Sequence, residues 1–458
     1  MLVKNKLDIS CWYSENEFGI QPGFGGKYKV SYPKGVFNSL DDDGKKILAK
    51  NFTYTRTRPL TMVADRLVYK FSKPNCKELV DYGVVGDLPR ISDFIKRDTQ
   101  DLTNVICDPA KITFTGQNKP EKLLPQRDTS NKKAILALSF GKDSLLCYAL
   151  LKEIGFDFQI VFGVEMESQN SGEYEFKNRI MKSFADEQGE EILLFKDTVD
   201  EMYYAPVTDG LGEFENTNGM LAFALELIPF AFNHGAKYIV FGNEKNMDDS
   251  YINAYGTQAY PSFDQSSVYT QRENKQLANF TSNSIQVMSL VEPIYNLAEM
   301  KILNNRYPHL LKYMMSCSPD EGSRSRWCYS CPMCAKSFLY LKAVGGDPRK
   351  IAFEEDFFRR EYTELYPPFA RNIKRPYEKP PTVREEQLLA FLMAYQLGAK
   401  GDLITIFEQK FLQEAMIKEK DLRRQFLGIH VGPSIPKTLR RKIIPIYEEE
   451  LFPLYAQD

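Results

Sequence analysis

The sequence predicts an α/β protein whose central part is a doubly wound parallel sheet. The first observation is an alternation of apolar strand-like runs with helical segments, which starts at Ala134 and continues past residue 300. The second is a different residue pattern at each end of the chain, with short β-like runs before residue 130 and mainly helical patterns after residue 345. We therefore predict an N-terminal α+β domain (1–130), a central α/β domain (131–345) and a helical C-terminal region (346–458).

The bulk composition is that of an ordinary globular protein. Of its 458 residues, 43% are hydrophobic and 26% are charged, and the formal net charge is −2. This balance gives no support for a nucleic-acid partner. No apolar run is long enough to cross a membrane, and the N-terminus, MLVKNKLDIS, lacks the apolar core of a signal peptide. We expect a cytoplasmic protein without a membrane partner.

The N-terminal part contains four short runs that we predict to be strands. They are KLDISCWY (6–13), KYKVSYP (27–33), FTYTRTRP (52–59) and DRLVYKF (65–71), and Gly, Pro and Asp residues separate them. The segment 118–133 is polar and carries two prolines, so we predict a linker there.

The central part contains five apolar runs of the kind found in buried parallel strands. Helical segments of suitable length separate them, as the crossovers of a parallel sheet require. The predicted strands are AILAL (134–138), FQIVFGV (158–164), EILLF (191–195), KYIVF (237–241) and IQVMSLV (285–291).

A small charged loop, SFGKDS (139–144), follows the first of these strands and precedes a helix. Two serine hydroxyls, a glycine that lets the backbone approach a ligand, Lys142 and the first amides of the helix together suit a phosphate group. The loop is not a Walker A motif, because Lys142 is followed by Asp143 instead of Ser or Thr. An ordinary strand–turn–helix with a Ser or Asp cap is the alternative interpretation.

Four cysteines are clustered in the second half of the chain. Cys317, Cys328, Cys331 and Cys334 are separated by 10, 2 and 2 residues. Four thiolates close a tetrahedral zinc site, and the Cys-x2-Cys-x2-Cys run also suits an iron–sulfur cluster. The spacing predicts a metal centre without deciding between zinc and iron.

The SFGKDS loop resembles the Ser-Gly-Gly-Lys-Asp-Ser loop of the PP-loop ATP pyrophosphatase superfamily at five of six positions. Phe140 replaces a glycine, which predicts that the backbone there does not need a positive φ. The resemblance implies a sheet of the HUP/PP-loop type and an enzyme that cleaves ATP between its α and β phosphates, with Mg²⁺. It further implies that Lys142 neutralises the leaving pyrophosphate, Asp143 organises the loop or its metal, and adenine lies against Phe162–Val164. The implied ATP-binding residues are Ser139, Phe140, Gly141, Lys142, Asp143, Ser144 and Gly163.

Together with the cysteines, the loop narrows the resemblance to 7-cyano-7-deazaguanine synthase, over roughly residues 134–345. The segments 218–243 and 292–303 are similar to that family's asparagine-led helix and to its segment before the zinc loop. The resemblance implies adenylation of a small-molecule carboxylate followed by attack of a nitrogen nucleophile. The family's Gly-Tyr-Pro-Asp-Cys-Arg signature is incomplete here, because AYPSFDQS (259–266) lacks the Asp-Cys-Arg trio. Either Asp264 and Gln265 substitute for it, or the acceptor differs.

Longer relatives of this family leave several functions open. One is an antiphage-defence enzyme that joins a deazaguanine carboxylate to an amine or a protein acceptor. Another is a muramoyl-dipeptide glutamate epimerase. Apart from these relatives, a tRNA sulfur-insertion enzyme with an iron–sulfur cluster and a nucleotide-binding adaptor without catalysis are alternative interpretations. The sequence does not set the oligomeric state, and a homodimer is compatible with it.

The remaining candidates are polar residues at expected strand ends and in long loops. The polar segment 242–266 follows the fourth predicted strand, and we interpret it as a substrate lid. Glu165 ends the second strand, where it suits ribose or a metal, although a solvated carboxylate is an equal alternative. Arg326 of the cysteine loop suits a substrate carboxylate. The predicted substrate residues are Glu165, Asn218, Asn243, Glu244, Asp264 and Arg326.

Overall fold

The computed structural model describes residues 6–116, 124, 127–165, 172–208 and 210–451. Within them ten strands form one mostly parallel sheet in the order β12-β9-β6-β7-β8-β3-β2-β1-β4-β5, and β10 and β11 form a separate pair. The strands are Leu7–Tyr13 (β1), Glu17–Pro22 (β2), Tyr28–Ser31 (β3), Leu67–Tyr69 (β4), Ile112–Phe114 (β5), Ser130–Ala137 (β6), Asp157–Glu165 (β7), Ile192–Asp197 (β8), Ala236–Phe241 (β9), Tyr251–Ile252 (β10), Gln258–Ala259 (β11) and Gln286–Ser289 (β12).

The five strands predicted for the central part are present and are all parallel. The chain passes from β6 to β7 and β8 on one side, and then crosses β6 to form β9 and β12 on the other. The strand order therefore reverses between β6 and β9. In open α/β sheets, ligands bind outside the carboxyl ends of the strands at such a switch point.

Helices cover both faces of the sheet, as the doubly wound prediction requires. They are Asp42–Thr57 (α1), Lys77–Ile95 (α2), Thr99–Ile106 (α3), Lys142–Glu153 (α4), Gly172–Gln188 (α5), Gly219–His234 (α6), Ser267–Phe280 (α7), Asn296–Arg306 (α8), Pro332–Ala343 (α9), Pro381–Gln396 (α10), Asp402–Lys410 (α11), Leu412–Phe426 (α12) and Lys437–Leu451 (α13). No helix of the described ranges is long and apolar enough to span a bilayer.

Alternate residues of the central strands enter two different cores. Ile135 of β6 joins a core with α1, α2, α6 and α7. Its neighbour Leu136 joins the opposite core with α4, α5, α8, α9 and the C-terminal helices. Because strand side chains alternate between faces, strands that are covered on both sides are apolar throughout. This explains why the central strands are readable in the sequence as continuous apolar runs.

The N-terminal strands extend the same sheet. β3 pairs with β8 in antiparallel fashion, with Val30 opposite Asp197 and Ser31 opposite Lys196. The strands β2, β1, β4 and β5 then continue the sheet outward. The sheet thus crosses the boundary that we place near residue 130, and the division into domains stays a prediction.

One predicted N-terminal strand is wrong. FTYTRTRP (52–59) lies in α1 and in the single-turn helix that follows it. The side chain of Asp41 accepts a hydrogen bond from the Gly44 amide at 2.8 Å and caps α1. Nearly every residue of this segment is buried, so its aromatic and β-branched side chains pack on all sides of a helix. Tertiary burial here overrides the local β preference.

Two further segments differ from the sequence interpretation. Strand β2, Glu17–Pro22, is present although no β-like run was predicted there. Of the predicted linker 118–133, residues 118–123, 125 and 126 lie outside the described residues. The last four residues of that segment already belong to β6, so the predicted linker extends too far.

Candidate active site

The SFGKDS loop lies at the carboxyl end of β6, beside the point where the strand order reverses. Gly141 caps α4, and the Ser144 hydroxyl donates to the Gly141 carbonyl oxygen at 3.2 Å. The Ser139 amide in turn donates to the Ser144 hydroxyl oxygen at 3.2 Å. The loop is therefore folded around the first turn of α4, where unpaired amides and the helix dipole favour an anion.

The expectation for Phe140 is wrong, because its φ is +64° and thus lies in the left-handed region. Its ring is fully buried and packs edge-to-face against Phe184, with centroids 5.5 Å apart. Its carbonyl oxygen accepts a hydrogen bond from the Met315 amide at 2.8 Å. A left-handed backbone costs about 1–2 kcal/mol, whereas burial of such a ring contributes about 1.5–3 kcal/mol. Packing therefore offsets the strain, and the loop keeps a geometry that usually needs glycine.

Lys142 is buried among three carboxyl groups. Its ammonium lies 3.2 Å from Glu299 of α8 and also contacts the carboxylate of Asp143. Glu244, from the loop after β9, completes the group, and one oxygen from each of the three acids lies within 4.8 Å of the others. Lys142 thus faces three acids from three separate segments of the chain, and Lys336 of α9 adds positive charge near two of them.

The surroundings shift the pKa values of these four groups in different directions. Burial opposes the charge of Lys142, but Asp143 and Glu299 more than offset it and raise the pKa of the lysine. Burial likewise opposes ionisation of Asp143, yet Lys142 brings the pKa of that carboxyl below its ordinary value. Burial raises the pKa of Glu299 well above its ordinary value, and burial with the charge of Asp143 raises the pKa of Glu244. The surroundings therefore favour the charged forms of Lys142 and Asp143 and oppose those of the two glutamates.

A cavity of about 1130 Å³ opens in front of this group, across the carboxyl ends of β6, β7 and β9. It is larger than the roughly 300–1,000 Å³ of ordinary small-molecule pockets, so it has room for a nucleotide and a second substrate. Lys142 is absent from its lining, because the ammonium points to the carboxylates. Of the predicted site residues, those in its wall are Ser139, Asp143, Ser144, Gly163, Glu165, Asn243 and Glu244.

The wall of the cavity is strongly acidic. The single basic side chain among its described lining residues is Lys177, which pairs with Glu173 at 2.5 Å. The sequence did not single out most of the acids, which lie in α5, in the segment after β8 and in the cysteine loop. In the sequence, only their position after a strand or in a polar loop could have indicated these acids. The lining carboxyl groups are Asp143, Glu165, Glu173, Asp200, Glu201, Glu244, Asp320 and Glu321.

Two predicted substrate residues lie instead at the start of α6. The Asn218 amide group donates to the Val80 carbonyl oxygen at 3.1 Å, and its oxygen accepts from the Tyr269 hydroxyl at 2.9 Å. The carboxylate of Asp264 accepts from the Met220 amide at 3.0 Å, and burial raises its pKa to about 6. Both side chains are buried and hold the helix terminus, and neither lines the cavity.

Arg326 is also not brought to the cavity. Its guanidinium donates to the carbonyl oxygens of Lys312 at 2.7 Å and Ile351 at 3.2 Å. The side chain is buried, and this burial lowers its pKa to about 10. The residue fastens the cysteine loop to the neighbouring backbone. A buried arginine bound to carbonyl groups cannot be distinguished in sequence from one that binds a substrate.

The polar segment 242–266 packs against α2. The Asn253 amide group donates to the Pro89 carbonyl oxygen at 2.9 Å and to the Ser92 hydroxyl at 2.9 Å, both in α2. Only its ends contribute to the cavity wall, through Gly242, Asn243, Glu244, Met247 and Gln265. Its role as a lid stays a prediction.

The four cysteines converge at the start of α9. The sulfur atoms of Cys331 and Cys334 are 3.5 Å apart, those of Cys328 and Cys334 are 3.8 Å apart, and those of Cys317 and Cys331 are 3.9 Å apart. A tetrahedral ion with Zn–S bonds of about 2.3 Å separates its sulfurs by about 3.8 Å. The Cys328 amide donates to the Cys317 sulfur at 3.2 Å, as is usual for thiolates. The cluster therefore fits one tetrahedral ion, consistent with zinc, whereas a multi-iron cluster distributes its thiolates over several metals.

The protein is thus an α/β protein with a large cavity at the switch point of its sheet and a cluster of four cysteines that fits one metal ion. No protein-family model and no curated protein matches this chain in sequence. Any functional conclusion therefore depends on the residues of the site.

Proposed function

We propose that the protein is an ATP-dependent ligase of the PP-loop class. It adenylates a substrate carboxylate, releases pyrophosphate and then joins the activated carboxylate to a nitrogen nucleophile. The observation that carries this proposal is the SFGKDS loop, which is folded around the N-terminus of α4 at the switch point of the sheet. That position suits the phosphates of a nucleotide.

The chemistry has two steps. A carboxylate oxygen attacks the α-phosphorus of ATP, the bond from that phosphorus to the bridging oxygen breaks, and pyrophosphate leaves. The nitrogen nucleophile then attacks the acyl carbon of the mixed anhydride, and its C–O bond to AMP breaks. Negative charge accumulates on the leaving pyrophosphate in the first step. The amides of the loop stabilise that charge directly, and the positive charge of Lys142, which lies outside the cavity lining, adds to the field of the loop.

Magnesium fits the acids behind the loop. Asp143, Glu244 and Glu299 offer carboxylate oxygens within 4.8 Å of one another, which are the ligands that Mg²⁺ prefers. One oxygen of Glu299 is buried and has no hydrogen-bond partner among the residues that the structure describes. A bound Mg²⁺ neutralises phosphate charge. Because the cavity wall is acidic, we expect ATP to bind as its metal complex.

Zinc fits the four-cysteine site as a structural ion. Four thiolates fill a tetrahedral shell and leave no open position for a substrate. Cys331 caps α9, and its sulfur accepts a hydrogen bond from the Cys334 amide at 3.5 Å. The ion would thus fix the start of the helix that packs against α8, on which Glu299 lies.

The first test is pyrophosphate release from ATP with a panel of carboxylates, led by 7-carboxy-7-deazaguanine and then by muramoyl peptides. Lys142→Ala is expected to lower the rate at least about 100-fold. Lys152→Ala is the matched control, because Lys152 lies in the same helix but its side chain is 57% exposed. Ser144→Ala is a smaller change at the loop, and we expect about a tenfold loss. Equal rates for Lys142→Ala and the control would contradict the proposal.

A further inference from the structure

The ammonium group of Lys142 is not placed where a ligand in the cavity would meet it. The residue is 7% exposed and is absent from the cavity lining, although its neighbours Asp143 and Ser144 belong to that lining. Its ammonium instead contacts Asp143 and lies 3.2 Å from Glu299. Because Asp143 both contacts this ammonium and lines the cavity, rotation of the flexible lysine side chain can carry the ammonium into the cavity.

The segments that carry the three acids are held together by contacts that do not involve the lysine. A Cβ atom at Gly242 would lie 2.7 Å from the Cβ atom of Asp143, so the missing side chain lets the end of β9 pack directly against that residue. The Lys245 amide donates to the Ile294 carbonyl oxygen at 3.0 Å. This bond ties the loop of Glu244 to the segment just before α8. The backbone therefore keeps these segments in place when the lysine side chain moves.

Removal of the ammonium alone is unfavourable. Glu244 is 8% exposed and Glu299 is fully buried, and buried acids without positive charge are costly. Lys336 of α9 adds positive charge near Asp143 and Glu244, but it forms no ion pair in the part of the chain that the structure describes. A departing Lys142 therefore needs another cation in its place.

We propose that Lys142 and a divalent cation exchange at these three acids. The ammonium occupies the position in the protein without ligands, and Lys142 moves into the cavity when the cation binds. One oxygen from each acid lies within 4.8 Å of the others, and such carboxylate oxygens are ligands for a divalent cation as well as acceptors for an ammonium. One buried oxygen of Glu299 receives no hydrogen bond from any described residue, so it has the capacity for a further ligand bond. A divalent ion also carries twice the charge of the ammonium and compensates three acids better.

The exchange gives the proposed reaction an order. Lys142 reaches the phosphates of ATP only after the cation has taken its place among the acids. A nucleotide that arrives without a divalent cation meets an acidic wall and no charge from Lys142 inside the cavity. The contact between Lys142 and a phosphate rests on the proposed function, whereas the exchange itself does not.

The first test measures how accessible Lys142 is with and without the cation. The full chain is acetylated by a water-soluble N-hydroxysuccinimide ester in the absence of nucleotide, with and without saturating Mg²⁺, and peptide mass spectrometry gives the labelling of each lysine. We expect Mg²⁺ to raise the labelling rate of Lys142 at least about tenfold, because the cation shifts most molecules to the released state. Lys152, in the same helix and with a side chain 57% exposed, is the internal reference and should not change. Equal labelling of Lys142 in the two conditions would overturn the inference.

The second test measures the affinity for Mn²⁺ by electron paramagnetic resonance. An occupied site lowers the apparent affinity by the fraction of molecules in which it is free, so Lys142→Met should bind Mn²⁺ at least about tenfold more tightly than the wild type. Adding Glu299→Gln should remove this gain. Lys336→Met is the matched control, because it removes a nearby positive charge without freeing the position, and its gain should be smaller.

Equal gains from Lys142→Met and Lys336→Met would mean that Lys142 acts on the cation only through its charge, and the exchange would be wrong. The labelling test uses the wild-type chain, so it decides the inference even if Lys142→Met does not fold.

A titration with ATP in the presence of Mg²⁺ separates this inference from the proposed function. If Mg²⁺ exposes Lys142 but the protein binds no ATP, the proposed function fails and the exchange stands. If the protein binds ATP and the labelling of Lys142 does not depend on Mg²⁺, the inference fails alone.

Discussion

The ammonium group of Lys142 lies 3.2 Å from the carboxylate of Glu299, and 157 positions of sequence separate the two residues. One belongs to the loop at the end of β6 and the other to α8. Their contact connects the predicted phosphate loop to a helix that the sequence did not associate with it. It also means that the charge of Lys142 acts on stability as well as on any ligand.

The first prediction concerns Lys142 and its neighbour Asp143. Replacing Lys142 by Met leaves two buried carboxyl groups and the half-buried carboxylate of Asp143 without their ammonium, and we expect a loss of about 3–5 kcal/mol in the free energy of unfolding. Adding Asp143→Asn removes the acid whose charged form Lys142 favours and should restore part of the loss. Urea unfolding of both single variants and of the double variant measures the coupling. Strictly additive effects would mean that the two side chains do not interact.

The second prediction concerns the cysteine site. Purified protein should contain about one zinc per chain and be colourless, and Co²⁺ substitution should give the visible spectrum of a tetrahedral thiolate site. Cys331→Ser should lose the metal and lower the melting temperature, whereas Cys107→Ser, an exposed cysteine away from the site, should change neither. Iron with a broad visible absorbance would instead favour the sulfur-insertion alternative.

The third prediction uses the left-handed backbone of Phe140. Phe140→Ala should destabilise the protein by about 3–5 kcal/mol through the cavity that it leaves. Phe140→Gly should be more stable than Phe140→Ala by about 1 kcal/mol, because glycine adopts a positive φ without strain. Denaturant unfolding of the two variants decides the point. The opposite order would show that the backbone at residue 140 does not have a positive φ in solution.

The fourth prediction concerns Glu273 of α7, which is fully buried and whose carboxyl oxygens lack hydrogen-bond partners among the described residues. Burial, and then the charge of Asp264, raise its pKa to about 8. Between the ordinary glutamate pKa and about 8, the unfolded chain has released this proton and the folded chain still holds it. This residue's contribution to stability is therefore present at low pH and lost as the pH rises to about 8.

The expected slope is about 1.4 kcal/mol per pH unit for this one group. Glu273→Gln should remove that slope and increase the free energy of unfolding at pH 8. Unfolding curves of both proteins at pH 5.5, 6.5 and 7.5 provide the comparison. Parallel pH profiles for the two proteins would show that Glu273 is ionised in the folded state.

The sequence predicted what local patterns encode. The central strands are covered on both faces, so their apolar runs are continuous, and the SFGKDS loop is identified by six adjacent residues. The cysteine cluster was predicted in the same way, from the short spacing of its four cysteines in the sequence. These features needed no information about distant parts of the chain.

What the sequence missed depends on long-range contacts. Glu299 and Asp200 reach the site only because separate elements pack together. Asn218 and Asp264 have the polarity of substrate ligands, but their partners belong to the protein. Asn218 bonds to the Val80 carbonyl and the Tyr269 hydroxyl, and Asp264 accepts from the Met220 amide at the start of α6. Residue type indicates that a buried polar group needs a partner, and only the fold decides whether that partner is protein or ligand.

The pairing of β3 with β8 has a consequence for any shortened form of this chain. A fragment that begins at residue 131 would expose the end of β8, where Lys196 and Asp197 pair with β3, and would leave backbone groups there without partners. It would also lose Arg56, the guanidinium that partly balances Asp197 and Glu226. We expect such a fragment to self-associate through this edge.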